Sequence, residues 1–506
     1  MSLLVSVFGF AIVAFVAVRL TRRRSANEPP VVGGNWPILG HAVYLALHPS
    51  EFIAKCREEY GDIFTLATPG RYITIICSDK AREIIRLPDR KSSFHHATDE
   101  LMRVNSLFGN IFEPGSYHFP LIRTRLTAMI DELNLVMNRE MRRIIARFLE
   151  QHAGKSCIPG AIVGQDSYTD SAHCLDHDSI PDIRAFVEAV ISETVGIALV
   201  GEQCAKDSAL LDSCRHLAHD FTTVMSASEF LPSFIAKRAP AIMRHRNNFF
   251  RVIIPEVLRR REMMDNLPEQ FKRPADFLQV LVESRSKDGD LRAPEDIALR
   301  LMHSVFASVH TTVMTCTQTL CDVVGRQTVR ERLEQEQIDY AKVNGSVTTR
   351  AALDDMPFLD AVVRESMRFS NLSFNVVRRA MTDITLRDGT FIPEGRVCAV
   401  SAHGVNCDYK AYGETHNAYL PERHLESPIA KASSAGPAYV IFGGGSHVCP
   451  GRFFAINQIK LLVSILLREY EIRTESGKRP KNVSHLIDVV PLPEKVIMKR
   501  RAMPLA

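Results

Sequence analysis

The ten residues 442–451, read F-G-G-G-S-H-V-C-P-G, constrain this chain more than any other stretch. They place Cys449 at the end of a glycine-rich turn. Residues 450–467 then carry apolar side chains at helical spacing, with Pro450 predicted as the first helical residue. The dipole and the unpaired N–H groups of a helix N-terminus stabilise a thiolate. A thiolate on such a thin backbone suits an axial ligand to haem iron, and the alternative is a buried structural cysteine beside a turn.

The spacing of this stretch resembles the haem-binding loop of the cytochrome P450 superfamily, F-x-x-G-x-R-x-C-x-G. Phe442, Gly445, Cys449 and Gly451 match it, and His447 stands where most members have arginine, as in many fungal members. The arginine of the family contacts a haem propionate, whereas histidine donates one hydrogen bond and is charged only part of the time. The resemblance implies that Cys449 binds the iron of haem b and that the following loop residues surround the cofactor: Phe442, Gly443, Gly445, His447 and Gly451.

Length and composition fit a folded enzyme and exclude other classes. The chain has 506 residues, of which 46% are hydrophobic, enough for a large core. Its formal net charge of +4 gives no indication of nucleic-acid binding. Eleven cysteines, an odd number without a C-x-x-C pair, favour a reducing compartment over a disulfide framework or a zinc site.

The N-terminus is predicted to be a membrane anchor. Residues 3–18 are almost entirely apolar, and three arginines (22–24) follow them, whereas no basic residue precedes them. A cleaved signal peptide carries its charge before the apolar stretch, so we predict an uncleaved transmembrane signal anchor over residues 1–21. The positive-inside rule then places the rest of the chain in the cytosol. Residues 22–48 are predicted to form a basic, proline-rich hinge, and residues 49–506 the haem-thiolate catalytic domain. The alternative is a buried N-terminal helix.

The first part of the catalytic domain combines a helix, a hairpin and loops. A helix is expected from Ser50, its predicted cap, to Tyr60, followed by a hairpin that turns at Pro69-Gly70. Residues 92–117 lack periodicity and are predicted to be loop. In the family a W-x-x-x-R pattern follows, and its best match here is Phe119 with Arg123. By that resemblance Arg123 contacts a haem propionate, with Arg125 as the competing candidate.

Two further segments are expected to lie outside the core. Residues 154–181 form a polar stretch with aspartates and histidines whose spacing fits no known metal site, so we predict a solvated insertion. Residues 230–238 are apolar and basic, which is typical of a segment that rests on a membrane surface.

The longest helical pattern runs from Pro294 to Val324 and spans roughly 45 Å. It contains A-S-V-H-T-T over residues 307–312, which resembles the oxygen-binding motif A-G-x-acid-T-T of the cytochromes P450. The resemblance implies that Thr311 helps deliver protons to bound oxygen, and His310 replaces the usual acid. A histidine can relay protons near neutral pH. The alternative for Thr311 is an ordinary bond back to a helix carbonyl.

A second helical pattern, residues 354–369, carries Glu365 and Arg368 on one face. Their order between the threonine helix and Arg423 resembles the buried Glu-Arg-Arg network of the family, which implies a structural role in holding the cysteine loop. Residues 376–400 are predicted to form short strands, and Arg378 is implied as a propionate contact. The substrate pocket is expected to be lined by Phe306, Ala307, Ser373, Phe374, Val376 and Val490, the last from a loop at 489–491.

Together these motifs imply the cytochrome P450 fold, mainly α with a small β-region, behind one N-terminal transmembrane helix. The implied reaction inserts one oxygen atom from O2 into a lipophilic small molecule of fungal secondary metabolism. The implied partners are an NADPH-cytochrome reductase, cytochrome b5 as a further candidate electron donor, and the endoplasmic reticulum membrane; no nucleic acid is indicated.

Two other functions remain open at this stage. The departures at Ser308 and His310 allow a haem-thiolate isomerase or dehydratase that needs no reductase, which NADPH consumption would distinguish. A membrane-anchored haem or lipid binder without turnover is the third candidate, and Thr311 with the Glu-Arg-Arg set argues against it.

Overall fold

The computed structural model describes residues 25–34, 36, 39–109, 111–112, 116–152, 178–228, 239–345, 349–369, 374–426, 431–485, 488–503 and 505. Four predictions therefore fall wholly or largely outside the described residues: the anchor (1–21), most of the polar insertion (154–177), the membrane-surface segment (230–238) and Ser373. Within the described ranges, no helix combines the length and the apolar character that crossing a membrane requires.

Helices dominate the described chain. In order they are α1 Ala42–Leu47, α2 Pro49–Tyr60, α3 Ala81–Arg86, α4 Phe94–Met102, α5 Val104–Phe108, α6 His118–Leu121, α7 Ile130–His152, α8 Ile183–Val200, α9 Ser208–Ser228, α10 Pro240–Asn266, α11 Phe277–Val282, α12 Pro294–Val324, α13 Gln327–Asn344, α14 Arg350–Asp354, α15 Pro357–Phe369, α16 Ala402–Asn406, α17 Tyr409–Tyr412 and α18 Arg452–Glu469. A π-helical turn over Ile122–Leu126 follows α6, and short 3₁₀ turns cover Cys204–Lys206, Gly413–Thr415, Pro421–His424 and Gly445–His447.

The strands form four small sheets. They are β1 Ile63–Thr68, β2 Arg71–Ile76, β3 Ser92–Ser93, β4 Asp178–Ile180, β5 Phe374–Ala380, β6 Ile384–Thr385, β7 Phe391–Ile392, β8 Val397–Ser401, β9 Tyr470–Thr474, β10 Asn482–His485, β11 Asp488–Pro491 and β12 Val496–Arg500. The largest sheet has the order β1-β2-β8-β5-β3, with β2 and β8 parallel and the other pairs antiparallel. A second sheet has the order β4-β12-β9, and β10-β11 and β6-β7 are hairpins.

Helix α12 is the axis around which the core is built. It packs against α8, α9, α10, α15 and α18, and most of its side chains are buried. Its bounds follow from local chemistry, because Pro294 occupies a first position where the missing N–H costs nothing. Gly325 follows its end, and a Cβ there would lie 2.4 Å from the Cα of Arg479. The helix therefore stops where the C-terminal part of the chain passes over it.

Several predicted boundaries are wrong for reasons of capping. Helix α2 begins at Pro49, so Ser50 lies inside the helix and is not its cap. Helix α18 begins at Arg452 with Gly451 as its N-cap, so Pro450 belongs to the preceding turn. The pattern at 354–369 is divided into α14 and α15.

The segment predicted as a loop at 92–117 is instead partly helical. Helix α4 starts directly after Ser93, whose hydroxyl oxygen accepts a hydrogen bond of 3.3 Å from the backbone N–H of His96. This serine cap compensates for weak periodicity. The residues at 489–491 were also predicted as a loop and instead form strand β11, paired with β10.

Candidate active site

The cysteine loop is a tight turn that lies between the 3₁₀ turn at Gly445–His447 and helix α18. The backbone N–H of Cys449 donates to the carbonyl of Phe442 over 2.8 Å, which closes the loop on itself. Gly443 and Gly445 have φ angles of +73° and +66°, a region that other residues adopt only with strain. A Cβ on Gly445 would lie 2.7 Å from the carbonyl oxygen of Ile85. The glycines are thus required by the shape of the turn itself.

Among the cysteines of the described residues, Cys449 alone is half-buried, whereas the others are buried. Burial of its thiol by the surrounding protein raises the pKa, whereas hydrogen bonds from the N–H groups of Gly451 and Arg452 and the charge of Arg452 lower it. The net pKa lies above the ordinary value of a thiol. A soft metal bound at the sulfur would favour the thiolate. The loop therefore presents a potential metal ligand toward an open space.

That open space is a cavity of about 420 Å³ between the cysteine loop and helix α12. The loop forms one wall and the middle of α12 the other, while aromatic side chains from α4 to α6 close the side. Of the residues predicted from sequence, the following line this cavity: Arg123, Phe306, Ala307, His310, Thr311, Val376, Arg378, Phe442, Gly443, His447, Cys449 and Gly451.

A few predicted residues do not line the cavity. Val489 lines it in place of the predicted Val490, because neighbouring residues of a strand point to opposite faces. Gly445 packs against Ile85 on the outer side of the turn. Phe374 begins strand β5, and its side chain lies outside what the structure describes. Arg123 lines the cavity and Arg125 does not, which favours Arg123 of the two candidates.

Arg378 supports the binding of an anionic group in this cavity. Its side chain is 2% exposed, yet no carboxylate of the described residues forms a salt bridge with it. Its Nη1 and Nη2 donate to the carbonyls of Val377 and Gly444, and its Nε has no partner. Burial lowers the pKa of Arg378 to about 10, although the carboxylate of Asp89 opposes this. A buried guanidinium with an unused donor fits a carboxylate of a bound group.

His447, at the position of the family's arginine, already has a carboxylate partner. Its Nε2 donates to Oδ1 of Asp89 over 2.6 Å, and its ring lies 5.2 Å from the ring of Phe94. The sequence offered no signal for Asp89, because the two residues are 358 positions apart. The imidazole of His447 and the guanidinium of Arg378 therefore both lie beside Phe94 at the edge of the cavity. Arg378 lies over the ring of Phe94.

On the opposite wall, Ala307 and Thr311 interrupt the burial of helix α12. Both residues are exposed, whereas Val309 and Thr312 are buried. Because Ala307 and Thr311 line the cavity, the exposed face of the helix is the cavity wall. His310 is half-buried and lines the cavity as well. A small residue and a hydroxyl thus face the space above Cys449.

The structure brings Glu365, Arg368 and Arg423 together in one buried network. Arg368 donates two hydrogen bonds to Glu365 (2.8 and 3.0 Å), and Nε of Arg423 lies 3.2 Å from Oε1 of Glu365. Arg368 also donates to the carbonyls of Asn406, His416 and Ala418. The network therefore ties α15 to the segment at 406–423.

Sequence reasoning missed a fourth member of this network, His424. Its Nε2 lies 2.8 Å from Oε2 of Glu365. Burial of Glu365 opposes its ionisation, but hydrogen bonds from His424 and Arg368 and from the N–H of Leu420 outweigh this and lower its pKa to about 2. Glu365 is therefore a carboxylate at any neutral pH.

Comparison with known proteins agrees with this architecture. The chain matches the family model described as Cytochrome P450 over residues 29–500. It is 26% identical to cytochrome P450 monooxygenase 103 of Postia placenta, with 97% of each chain covered. It is also 24% identical to lanosterol 14-alpha demethylase of Cunninghamella elegans, covering 96% of this chain and 93% of the relative. Cytochrome P450 monooxygenase atmQ of Aspergillus flavus is 26% identical, with 90% and 84% covered.

Proposed function

The chain belongs to the cytochrome P450 family, whose cofactor is haem b, and from this premise we propose that it is a haem-thiolate monooxygenase acting on a lipophilic small molecule. The observation that carries the proposal is that Cys449 and Thr311 face the same cavity from opposite walls. In the proposed reaction R–H, O2, two electrons and two protons give R–OH and water. The electrons come from NADPH through a separate reductase.

The residues of the cavity would hold the cofactor at three points. Cys449 would bind the iron through its sulfur, and Arg378 and Arg123 would pair with the two carboxylates. His447, whose Nε2 donates to Asp89, would stand beside them. When bound, haem b supplies the activation of O2 and the transfer of one oxygen atom.

Thr311 is the group that we assign to proton delivery. Its hydroxyl donates to a carbonyl one turn earlier, so its oxygen can accept a hydrogen bond from the cavity, and rotation away from that carbonyl would let it donate its proton into the cavity. His310 stands next to it on the cavity wall and replaces the acidic residue common in the family. The remaining wall is mainly apolar and aromatic, which excludes bulk water and orients an apolar substrate.

The substrate is proposed to be a terpenoid, steroid, alkaloid or polyketide of fungal secondary metabolism. Aromatic side chains around the cavity, including Phe94, Phe112, Phe119 and Phe306, suit a large apolar skeleton. One relative is named for a sterol, lanosterol, which supports the steroid and terpenoid classes.

The cellular context is proposed from the N-terminus and the surface near the cysteine loop. Residues 1–21 anchor the chain in the endoplasmic reticulum membrane, with the catalytic domain in the cytosol. Arg123 is exposed, and its charge acts on Arg452 at the start of α18. This basic surface would attract the acidic face of an NADPH-cytochrome reductase or of cytochrome b5.

A reconstituted assay tests the proposed function. The purified protein, loaded with haem, is combined with the reductase, NADPH and a panel of sterols and terpenoids, and oxygenated products are identified by mass. Incorporation of one ¹⁸O atom from ¹⁸O2 that depends on both reductase and NADPH is the expected result. A product formed equally well without reductase would contradict monooxygenation and favour the isomerase or dehydratase.

A further inference from the structure

A third histidine lines the cavity, beside His310 and His447, at a position that the family motifs do not include. His303 lies on α12 eight residues before Thr311, on the same face of the helix. Its ring is enclosed by aromatic rings, with centroids 5.5 Å away at Phe108, 6.0 Å at Phe119 and 6.4 Å at Phe112. A polar ring in such an apolar wall is costly unless its nitrogens find partners.

One nitrogen of His303 is paired with another buried histidine. Nδ1 of His303 lies 3.2 Å from Nε2 of His118, which belongs to α6 and is fully buried. The remaining nitrogen of His118, Nδ1, has no hydrogen-bond partner. Burial lowers the pKa of His118 to about 2 and that of His303 to about 3, and the positive charge of Arg300 acts in the same direction. Both imidazoles are therefore neutral at neutral pH.

The unpaired Nδ1 of His118 decides which ring donates. If His303 donated to His118, then Nδ1 of His118 would carry a buried N–H with no acceptor. If His118 donates through Nε2, its Nδ1 carries only an unpaired lone pair, and orphaned N–H groups are the rarer of the two in proteins. The second arrangement leaves Nδ1 of His303 as an acceptor. Nε2 of His303 must then carry the proton.

This N–H of His303 has no acceptor among the described residues of the chain. The hydroxyl of its neighbour Ser304 donates back to the carbonyl of Arg300, and the other neighbours are aromatic rings. A donor with no protein partner on the wall of a binding cavity is satisfied by the molecule that enters the cavity.

We propose that His303 is a specificity-determining residue that donates a hydrogen bond from Nε2 to a carbonyl or hydroxyl oxygen of the substrate, and that His118 is the positioning residue that fixes this tautomer. The inference deepens the proposed function and rests on it. Eight residues of helix separate His303 from Thr311 by about 12 Å, at ~1.5 Å per residue. The substrate is accordingly an elongated apolar molecule, long enough to extend along α12 from His303 toward Thr311, on the order of 12 Å.

The test compares two steroids that differ only in the acceptor. The probes are 5α-androstan-3-one and 3-methylidene-5α-androstane, in which a C=CH2 group replaces the carbonyl. Binding to the haem-loaded full-length protein is measured by equilibrium dialysis and by the spectral shift of the haem. The variants are His303→Phe, His118→Phe and the control His245→Phe, a buried histidine outside the cavity that bonds to Asp220.

The wild type is expected to bind the ketone roughly 3- to 10-fold more tightly than the methylidene steroid, the usual range for one net hydrogen bond. In His303→Phe the ratio of the two affinities falls to about one, because only ketone binding weakens. His118→Phe gives an intermediate ratio, because both tautomers of His303 become populated. His245→Phe keeps the wild-type ratio. Absence of a ketone preference in the wild type, or its retention in His303→Phe, overturns the proposal.

The same proteins separate this inference from the proposed function. Absence of a ketone preference in the wild type, or its retention in His303→Phe, alongside intact reductase-dependent oxygenation overturns the role of His303 alone. The expected binding pattern without any reductase-dependent oxygenation overturns the monooxygenase proposal and leaves the recognition role of His303 standing.

Discussion

The hydroxyl of Thr311 donates a hydrogen bond of 2.9 Å to the carbonyl of Ala307, and both residues face the cavity opposite Cys449. Back-bonding of this kind is common for threonine in helices and alone indicates no function. Its location distinguishes Thr311 from Thr317 and Thr319, which make the same bond but are buried. A hydroxyl that is anchored at one end and open at the other can exchange protons with a bound molecule.

We therefore expect Thr311→Ala to separate electron flow from product formation. Haem content and substrate binding should stay near wild type, while product per NADPH falls and hydrogen peroxide rises. Proton delivery by one group is typically worth about 10²–10⁴ in rate. The measurement is the ratio of product to NADPH consumed, with Thr319→Ala as the matched control on the same helix. His310→Ala should have a smaller effect, since water can replace the imidazole. Full coupling in Thr311→Ala would reject the assignment.

Cys449→Ala is expected to abolish the thiolate-type spectrum of the reduced carbon monoxide complex. The reason is that no other cysteine of the described residues reaches the cavity. Cys398→Ala is the control: this thiol is buried in β8, and its pKa is raised to about 12 by burial. The control should keep the spectrum, and a wild-type spectrum in Cys449→Ala would show that the ligand has been misidentified.

Glu365→Gln should destabilise the fold and remove the contribution of Glu365 to the pH dependence of the free energy of unfolding. The pKa of Glu365 is about 2 in the folded protein, below its ordinary value of 4.5, so its contribution to stability is complete above pH 4.5 and is lost as the pH falls toward 2. That contribution is on the order of 3 kcal/mol by linkage. Removing the charge also leaves Arg368 buried without its carboxylate, which typically costs about 3–5 kcal/mol.

Denaturant unfolding of wild type and Glu365→Gln between pH 3.5 and 7 checks this prediction. The expected result is that the difference between the two free energies of unfolding narrows as the pH falls below 4.5. Glu422→Gln serves as the control, because Glu422 pairs with Arg332 at the exposed surface. A difference that stays constant with pH would mean that Glu365 does not titrate as described.

We expect Gly445→Ala to destabilise the cysteine loop, an effect that can be measured without an activity assay. The φ of +66° is unfavourable for alanine, and the new Cβ would meet the carbonyl oxygen of Ile85 at 2.7 Å. Backbone strain of this kind costs about 1–3 kcal/mol, and the clash adds to it. Haem per protein and the thermal midpoint should both fall. Gly436→Ala, where a Cβ meets nothing within 4 Å, should leave both unchanged; equal behaviour of the two variants would argue against a rigid loop.

Deleting residues 1–21 is expected to move most of the protein from the microsomal to the soluble fraction. The physical reason is the loss of the apolar stretch that precedes the three arginines. Fractionation followed by immunoblotting gives the result, and carbonate washing separates an embedded chain from a peripheral one. Finding that the mature protein lacks these residues would refute an uncleaved anchor.

Helices and turns whose boundaries are set by proline or glycine were predictable from the sequence. Helix α12 begins and ends where Pro294 and Gly325 indicate, and the β1–β2 hairpin turns at Pro69-Gly70 as expected. The motif order placed Thr311 and Cys449 on facing walls, because the family resemblance carries three-dimensional information that spacing alone lacks. His303 was not predicted, although it lies one turn before Ala307 on α12.

Features that depend on distant contacts were not predictable. His118 and His303 are 185 residues apart, and His447 and Asp89 are 358 apart, so no local pattern connects them. Val489 replaces Val490 in the cavity wall because a shift of one residue reverses the face of a strand. Helix α4 was not predicted, because its apolar residues show only weak helical periodicity and the Ser93 cap is what stabilises its start.

The position of the last strand has a consequence for how the protein is made. Strand β12 lies between β4 and β9, and the carbonyl of Val489 on β11 accepts a hydrogen bond from Gln318 of α12. These residues follow every motif residue in the sequence, so the central strand of one sheet and part of the cavity wall are synthesised after the motifs. A message truncated shortly after the codon for Cys449 would still encode every motif residue. Its product would have an incomplete cavity, because it would lack Val489 and the hydrogen bond of that residue with Gln318.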